Sequence, residues 1–172
     1  MQRLIVFLGH PTYALSVVLF TLLLSGGIGS FTTSKFISPN RSAGARLLFL
    51  CISLLVFGIM TPYAITAFAS STTPVRIILA IAILFPPGMF MGMSFPLGLK
   101  MSAETFSGLT PVFWGVNGAA SICASILAMA IAMNWGISAA FWTGFWCYCI
   151  AFLAFCWAAF SSPAIGAPKR AI

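Results

Sequence analysis

Five stretches of this chain, at about residues 12 to 33, 45 to 69, 75 to 99, 111 to 134 and 137 to 160, hold no Asp, Glu, Lys or Arg in their middles. Each runs to about 22 to 25 residues, and at about 1.5 Å per helical residue each reaches about 33 Å or more, enough to cross a hydrocarbon core of about 30 Å. Lipid offers no partners for backbone amides, so a spanning segment must satisfy its own, as a helix or within a closed barrel. The apolarity here is continuous and lacks the two-residue alternation of barrel strands. These stretches therefore predict an all-α, polytopic membrane protein of five transmembrane helices, one membrane domain over 1–172 with a short tail at 161–172.

Composition leads the same way. Hydrophobic residues make up 61% of the chain and charged residues 5%, whereas a soluble domain would carry about a quarter charged residues. The net charge of +7 is a topology signal and no nucleic-acid footprint. The first apolar stretch outruns a signal peptide and ends in GGIGSFTTSK without a convincing cleavage site, so the first span is expected to stay in the mature chain. Cys51, Cys123, Cys147, Cys149 and Cys156 all fall in apolar segments, where cysteine acts as a small hydrophobe; free thiols are expected. The spacing of Cys147 and Cys149 points their thiols to different faces of a helix.

Threading five spans in alternation sorts the cations. Lys35, Arg41, Arg46, Lys100, Lys169 and Arg170 collect on one side, and Arg3 and Arg76 on the other. The positive-inside rule then puts the N-terminus outside, the C-terminus inside, and the loop FISPNRSAG in the cytoplasm.

The spans differ in kind. The third is interrupted at Pro86-Pro87 and at Pro96, residues that cannot donate a backbone hydrogen bond and that clash with the preceding turn, so a kinked or broken helix is expected there. A milder kink is expected between Gly58 and Pro62. The fourth places Ala120, Ala124, Ala128 and Ala132 four apart, with Ser121 and Ser125 beside them, a smooth face suited to close helix approach. It is the expected central packing helix. The first span carries a similar patch, Ser25-Gly26-Gly27-Ile28-Gly29-Ser30, and the fifth is bulky and aromatic all round.

Residues able to do chemistry are few. His10, the single histidine, could ligate a haem iron or a chlorophyll magnesium through its imidazole. Composition favours a plainer role, in which Gly9-His10-Pro11-Thr12 forms the entry to the first span with Pro11 at a first helical position. Glu104, the only acid, stands near Lys100 in the loop KMSAETFSG and reads as a solvated, locally paired carboxylate. Without ionisable groups in mid-span, coupled cation transport by this chain alone is disfavoured. Asn117 is the notable polar residue inside a span; an interhelical hydrogen bond that fixes packing register is favoured over substrate binding, and capping carbonyls freed by Pro86, Pro87 or Pro96 would join the third and fourth spans. Asn134 and Trp135 read as an interface anchor. The sequence offers no carboxylate pair, no Ser-His-Asp set and no G-x-G-x-x-G at a strand-to-helix junction, and so no catalytic or metal residues are expected.

The stretches FLGHPTYALSVVLF at 7–20, SGGIGS at 25–30, GMFMGMSFPLGLK at 88–100 and FWGVNGAAS at 113–121 resemble, in order, the C-terminal membrane portion of bacterial spermidine synthase-like proteins, which fuse a transporter-like membrane domain to a spermidine synthase domain. The likeness runs from about residue 2 to residue 135. In that family aminopropyl transfer is attributed to a Rossmann-like domain with a glycine-rich loop and acidic diamine-binding residues, none of which these 172 residues contain, so no catalytic residue carries over. Gly9, His10, Pro11, Tyr13, Met91, Gly92, Pro96, Trp114, Asn117 and Gly118 carry over as motif positions without assigned roles. In longer relatives a helix with a glutamate leads into the Gln-Arg found here as Gln2-Arg3, so the chain is expected to be a short paralogue or a remnant.

The expected function is that of a non-catalytic membrane subunit packing against other integral membrane proteins and lipids, such as those of a respiratory or photosynthetic complex, in a bacterial inner membrane. The packing and motif candidates are His10, Pro11, Tyr13, Gly26, Gly29, Pro86, Pro87, Pro96, Asn117, Gly118, Ala120 and Ala124. No cofactor is predicted, although a lipid, quinone or pigment would meet the chain at His10 or along the fifth span. A small-molecule transporter-like module, suggested by the interrupted third span and Asn117, is the alternative. A second is the membrane part of a spermidine synthase-like enzyme whose catalytic domain lies elsewhere.

Overall fold

A computed structural model of the chain describes the backbone of residues 7–9, 11–36, 39–105 and 107–161, and the side chains of these except at 34–42, 101–107 and 158–161. Its elements are α1 (Pro11–Phe36), α2 (Pro39–Ala67), α3 (Thr73–Thr105), a 3-10 turn (Ser107–Leu109), α4 (Thr110–Trp135) and α5 (Ile137–Ser161). No strand occurs among the described residues. All five helices are long and apolar enough to cross a membrane, over Pro11–Thr33, Ala43–Ala67, Thr73–Lys100, Thr110–Trp135 and Ile137–Trp157.

α1 and α3 form the tightest pair. The buried positions of α1 are Ala14, Val18, Thr21, Ser25, Gly29 and Thr33, a single face of small residues at three- and four-residue spacing. Leucine would be no better than lipid at driving such an association, because acyl chains are equally apolar; close van der Waals contact between backbones has to do it. Two hydroxyls on this face are satisfied locally, Thr21 Oγ1 donating to the Val17 carbonyl at 2.7 Å and Ser25 Oγ to that of Leu22 at 3.3 Å, whereas the buried Thr33 Oγ1 has no partner among the described residues. The larger buried partners, Ala80, Leu84, Met93 and Leu97, come from α3.

The third helix runs as one helix from Thr73 to Thr105 through Pro86, Pro87 and Pro96. Of the kinked or broken helix expected there, the break is absent. Pro87 is buried, Pro96 half-buried and Pro86 exposed, so only part of the interruption faces the interior. Pro62 likewise sits inside a continuous α2.

α2 packs against α3, where the Phe49 and Phe90 rings stack at 6.1 Å, and against α5 on another side. Gly58 makes the second seam: a Cβ there would stand 2.6 Å from Cε1 of Phe141. α4 and α5 form a hairpin around Gly136, whose φ of +87° is a conformation open chiefly to glycine.

The fourth helix is not the central packing helix. It has no buried residue, and Ala120, Ala124 and Ala128 are exposed. The closest packing lies instead at the small-residue patch of α1, where Gly88 and Gly92 of α3 stand opposite.

Candidate functional site

The α1–α3 seam is fastened at three levels. Contacts rise together along both helices, which therefore run parallel. At the first level, Arg76 Nη1 donates to the Phe7 carbonyl at 3.1 Å, its Nη2 donates to the Ala69 carbonyl, and its guanidinium lies 5.6 Å from the Phe7 ring centre. Phe7 and Leu8 fold back as buried residues beside Ala14, Val18, Ala80 and Leu84. Gly9, with φ +81°, makes the turn that permits this.

The middle level interlocks Ser25-x3-Gly29 of α1 with Gly88-x3-Gly92 of α3. A Cβ on Gly92 would lie 2.6 Å from Gly26 Cα, and one on Gly29 would lie 3.0 Å from the Met89 carbonyl carbon. On Gly88 it would meet the Ser25 side chain. No side chain larger than hydrogen fits at Gly29 or Gly92 without moving backbone.

At the third level Lys100 Nζ donates to the Thr33 carbonyl at 2.7 Å. The last carbonyls of a helix have no intrahelical donor and carry the negative end of the dipole, so an ammonium there both caps and neutralises. Two cations counted above as topology markers thus reach inward to backbone oxygens. Their half-buried contacts with these carbonyls were not legible from charge spacing; the small-residue patch of α1 was legible, but the Gly88-x3-Gly92 spacing opposite it was not.

The remaining predicted positions scatter. His10 lies outside the described residues, and the side chain of Glu104 does too. Pro11 opens α1 as expected of a first helical residue, and Tyr13 is 67% exposed. Gly26 and Gly29 are in the seam. Gly118 has nothing within 4 Å of a built Cβ.

Asn117 is exposed on α4 about 10 Å along the helix from Thr110. Its backbone carbonyl accepts a hydrogen bond from Ser121 Oγ at 2.8 Å. Among the described residues no hydrogen bond from its carboxamide caps a carbonyl freed by the prolines of α3. What joins the two helices is aromatic: Phe95 and Trp114 meet edge-on at 4.8 Å. Beside that contact Ser94, Phe95, Gly98, Leu99, Phe113, Val116, Asn117 and Ala120 line an open groove of about 400 Å³. Ser94 Oγ already donates to the Phe90 carbonyl at 3.1 Å, leaving the carboxamide as the polar group the groove offers. A second cavity of about 240 Å³ lies between α1, α2, α3 and α5, walled by Phe57, Pro87, Met91, Phe141, Phe145 and Tyr148 among others.

Among the described residues no group of three or more His, Cys, Asp or Glu is arranged to hold a metal ion. The five cysteines are free thiols, Cys123 and Cys147 exposed and Cys51, Cys149 and Cys156 half-buried. No known protein family, curated protein or solved structure matches the chain.

Proposed function

We propose that this chain is a non-catalytic, multi-pass subunit of a bacterial inner membrane that packs against other integral membrane proteins. The observation that carries the reading is α4, a helix with no buried residue that nevertheless presents Ala120, Ala124 and Ala128 on one face with Asn117 and Ser121 beside it. Apolar exposure alone would suit lipid. Small residues four apart and a carboxamide suit another helix, since they allow backbones to approach and supply an interhelical hydrogen bond worth about 1 kcal/mol. In this reading the N-terminus faces outward and the C-terminus the cytoplasm, and the prolines bend α3 without dividing it. Purification from the native membrane in mild detergent tests it. Co-purifying membrane polypeptides are expected, and a chain that elutes alone as a monomer overturns the proposal.

A second reading rests on the groove between α3 and α4. A transporter-like module would use Asn117 there to hold a small polar solute against Phe95 and Phe113. Uptake into reconstituted vesicles that falls on Asn117→Leu favours it; absent or unchanged uptake removes it. The resemblance to spermidine synthase-like proteins supports a third role, as membrane part of an enzyme whose whole active site belongs to a separate subunit.

A further inference from the structure

The seam between α2 and α5 brings together two groups that no role above uses. Cys51 on α2 and Cys149 on α5, both half-buried, come to the same level of this seam, near enough for one thiol to influence the other. The antiparallel register of the two helices accounts for this. Gly58 faces Phe141 and Trp142 at one end of the seam, and Gly44 faces Phe155 at the other, where a Cβ would stand 3.3 Å from Cε1. Cys51 lies midway between Gly44 and Gly58, and Cys149 falls between Phe141 and Phe155. Glycines at both ends draw the helices together at the level of the thiols.

Access and consequence also follow from position. Both cysteines are half-buried and so keep some open surface. They lie eight residues from the span ends Ala43 and Trp157, about 12 Å into the span, where an apolar reagent concentrates and an ionic one does not. α4 touches α3 along a short stretch only, so the α4–α5 hairpin is held to the other helices chiefly through the α2–α5 seam.

We propose that Cys51 and Cys149 are a modification site at which an apolar hydroperoxide, of the class that lipids yield on peroxidation, forms an interhelical disulfide that fastens the α4–α5 hairpin to α2. One thiol attacks the peroxide: an S–O bond forms, the O–O bond breaks, and the alcohol leaves with that thiol's proton. The second thiol attacks the resulting sulfenic sulfur: the S–S bond forms, the S–O bond breaks, and the hydroxyl departs with the second proton as water. Two thiols lose two electrons in all, and the hydroperoxide is reduced to alcohol and water. The product is uncharged and suits its apolar surroundings.

Cys51 is the only one of the five cysteines before the 3-10 turn, which makes the test direct. A protease site is inserted at Ser107–Leu109, and the full chain in lipid vesicles is treated with cumene hydroperoxide, cleaved, and run in SDS without reductant. The two pieces are expected to stay joined, to separate on reduction, and to stay joined in Cys147→Ala and Cys156→Ala. Cys51→Ala and Cys149→Ala are each expected to abolish the link. As a measurement free of variants, the uncut oxidised chain is expected to lose two hydrogens in mass, with peptide mapping joining 51 to 149. Pieces that separate without reductant, a link that survives Cys149→Ala, or a map that joins Cys51 to another cysteine overturns the proposal.

Discussion

Gly92 of α3 lies against Gly26 of α1 so closely that a β-carbon on Gly92 would stand 2.6 Å from the Gly26 Cα. Two backbones in such contact gain dispersion and weak Cα–H···O bonding that bulkier faces cannot reach, and in lipid this replaces the hydrophobic term. Gly92→Ala is expected to destabilise the chain by about 1–3 kcal/mol, as overpacking does. Gly118→Ala meets open space and should change stability by less than about 0.5 kcal/mol. Denaturation in mixed detergent micelles compares the two; equal effects would contradict the close crossing.

Lys100→Met keeps the length and removes the charge, leaving the Thr33 carbonyl without the donor seen at 2.7 Å. A loss of about 1.5–3 kcal/mol is expected, in the range for hydrogen bonds from charged groups. Lys100→Arg should recover part of it. Hydrogen exchange should rise in the last turn of α1 in the Met variant and not in the first.

At the opposite end, Arg76→Gln removes the fork that holds the Phe7 and Ala69 carbonyls. The segment around Phe7 and Leu8 is expected to be cut by protease at least several-fold faster, while the α1–α3 crossing persists. Protection as strong as in the unsubstituted chain would show that burial of Phe7 and Leu8 alone holds that segment.

Helical spans were legible because lipid forces one local solution on each apolar run, and all five appear at the positions that hydropathy marks. Neighbour relations were less so. Ala120 and Gly29 look alike in sequence, each a small residue in a small-residue patch, yet one is exposed and the other buried. The difference lies in what stands opposite: Gly29 meets Met89 beside the Gly88-x3-Gly92 pair, whereas α3 meets α4 through the Phe95–Trp114 pair beside an open groove. The meeting of Cys51 with Cys149 likewise depends on an antiparallel register set by Gly44 and Gly58, which a single helix pattern does not contain.

The positive-inside rule gives the sidedness expected of this chain. A reporter active only outside the cytoplasm, fused within the 68–72 loop, is expected to be active, and one fused at the 3-10 turn silent. The reverse pattern would place the Lys100 end of the seam outside.

Whether α4 meets protein or lipid decides the proposed function most directly. A photo-crosslinking amino acid is placed at Ala124 on the small-residue face and, for comparison, at Ile78, which is 67% exposed on α3, and irradiated in the native membrane. The subunit reading predicts a discrete protein adduct from position 124 and only lipid adducts from position 78; lipid adducts alone from position 124 would contradict it.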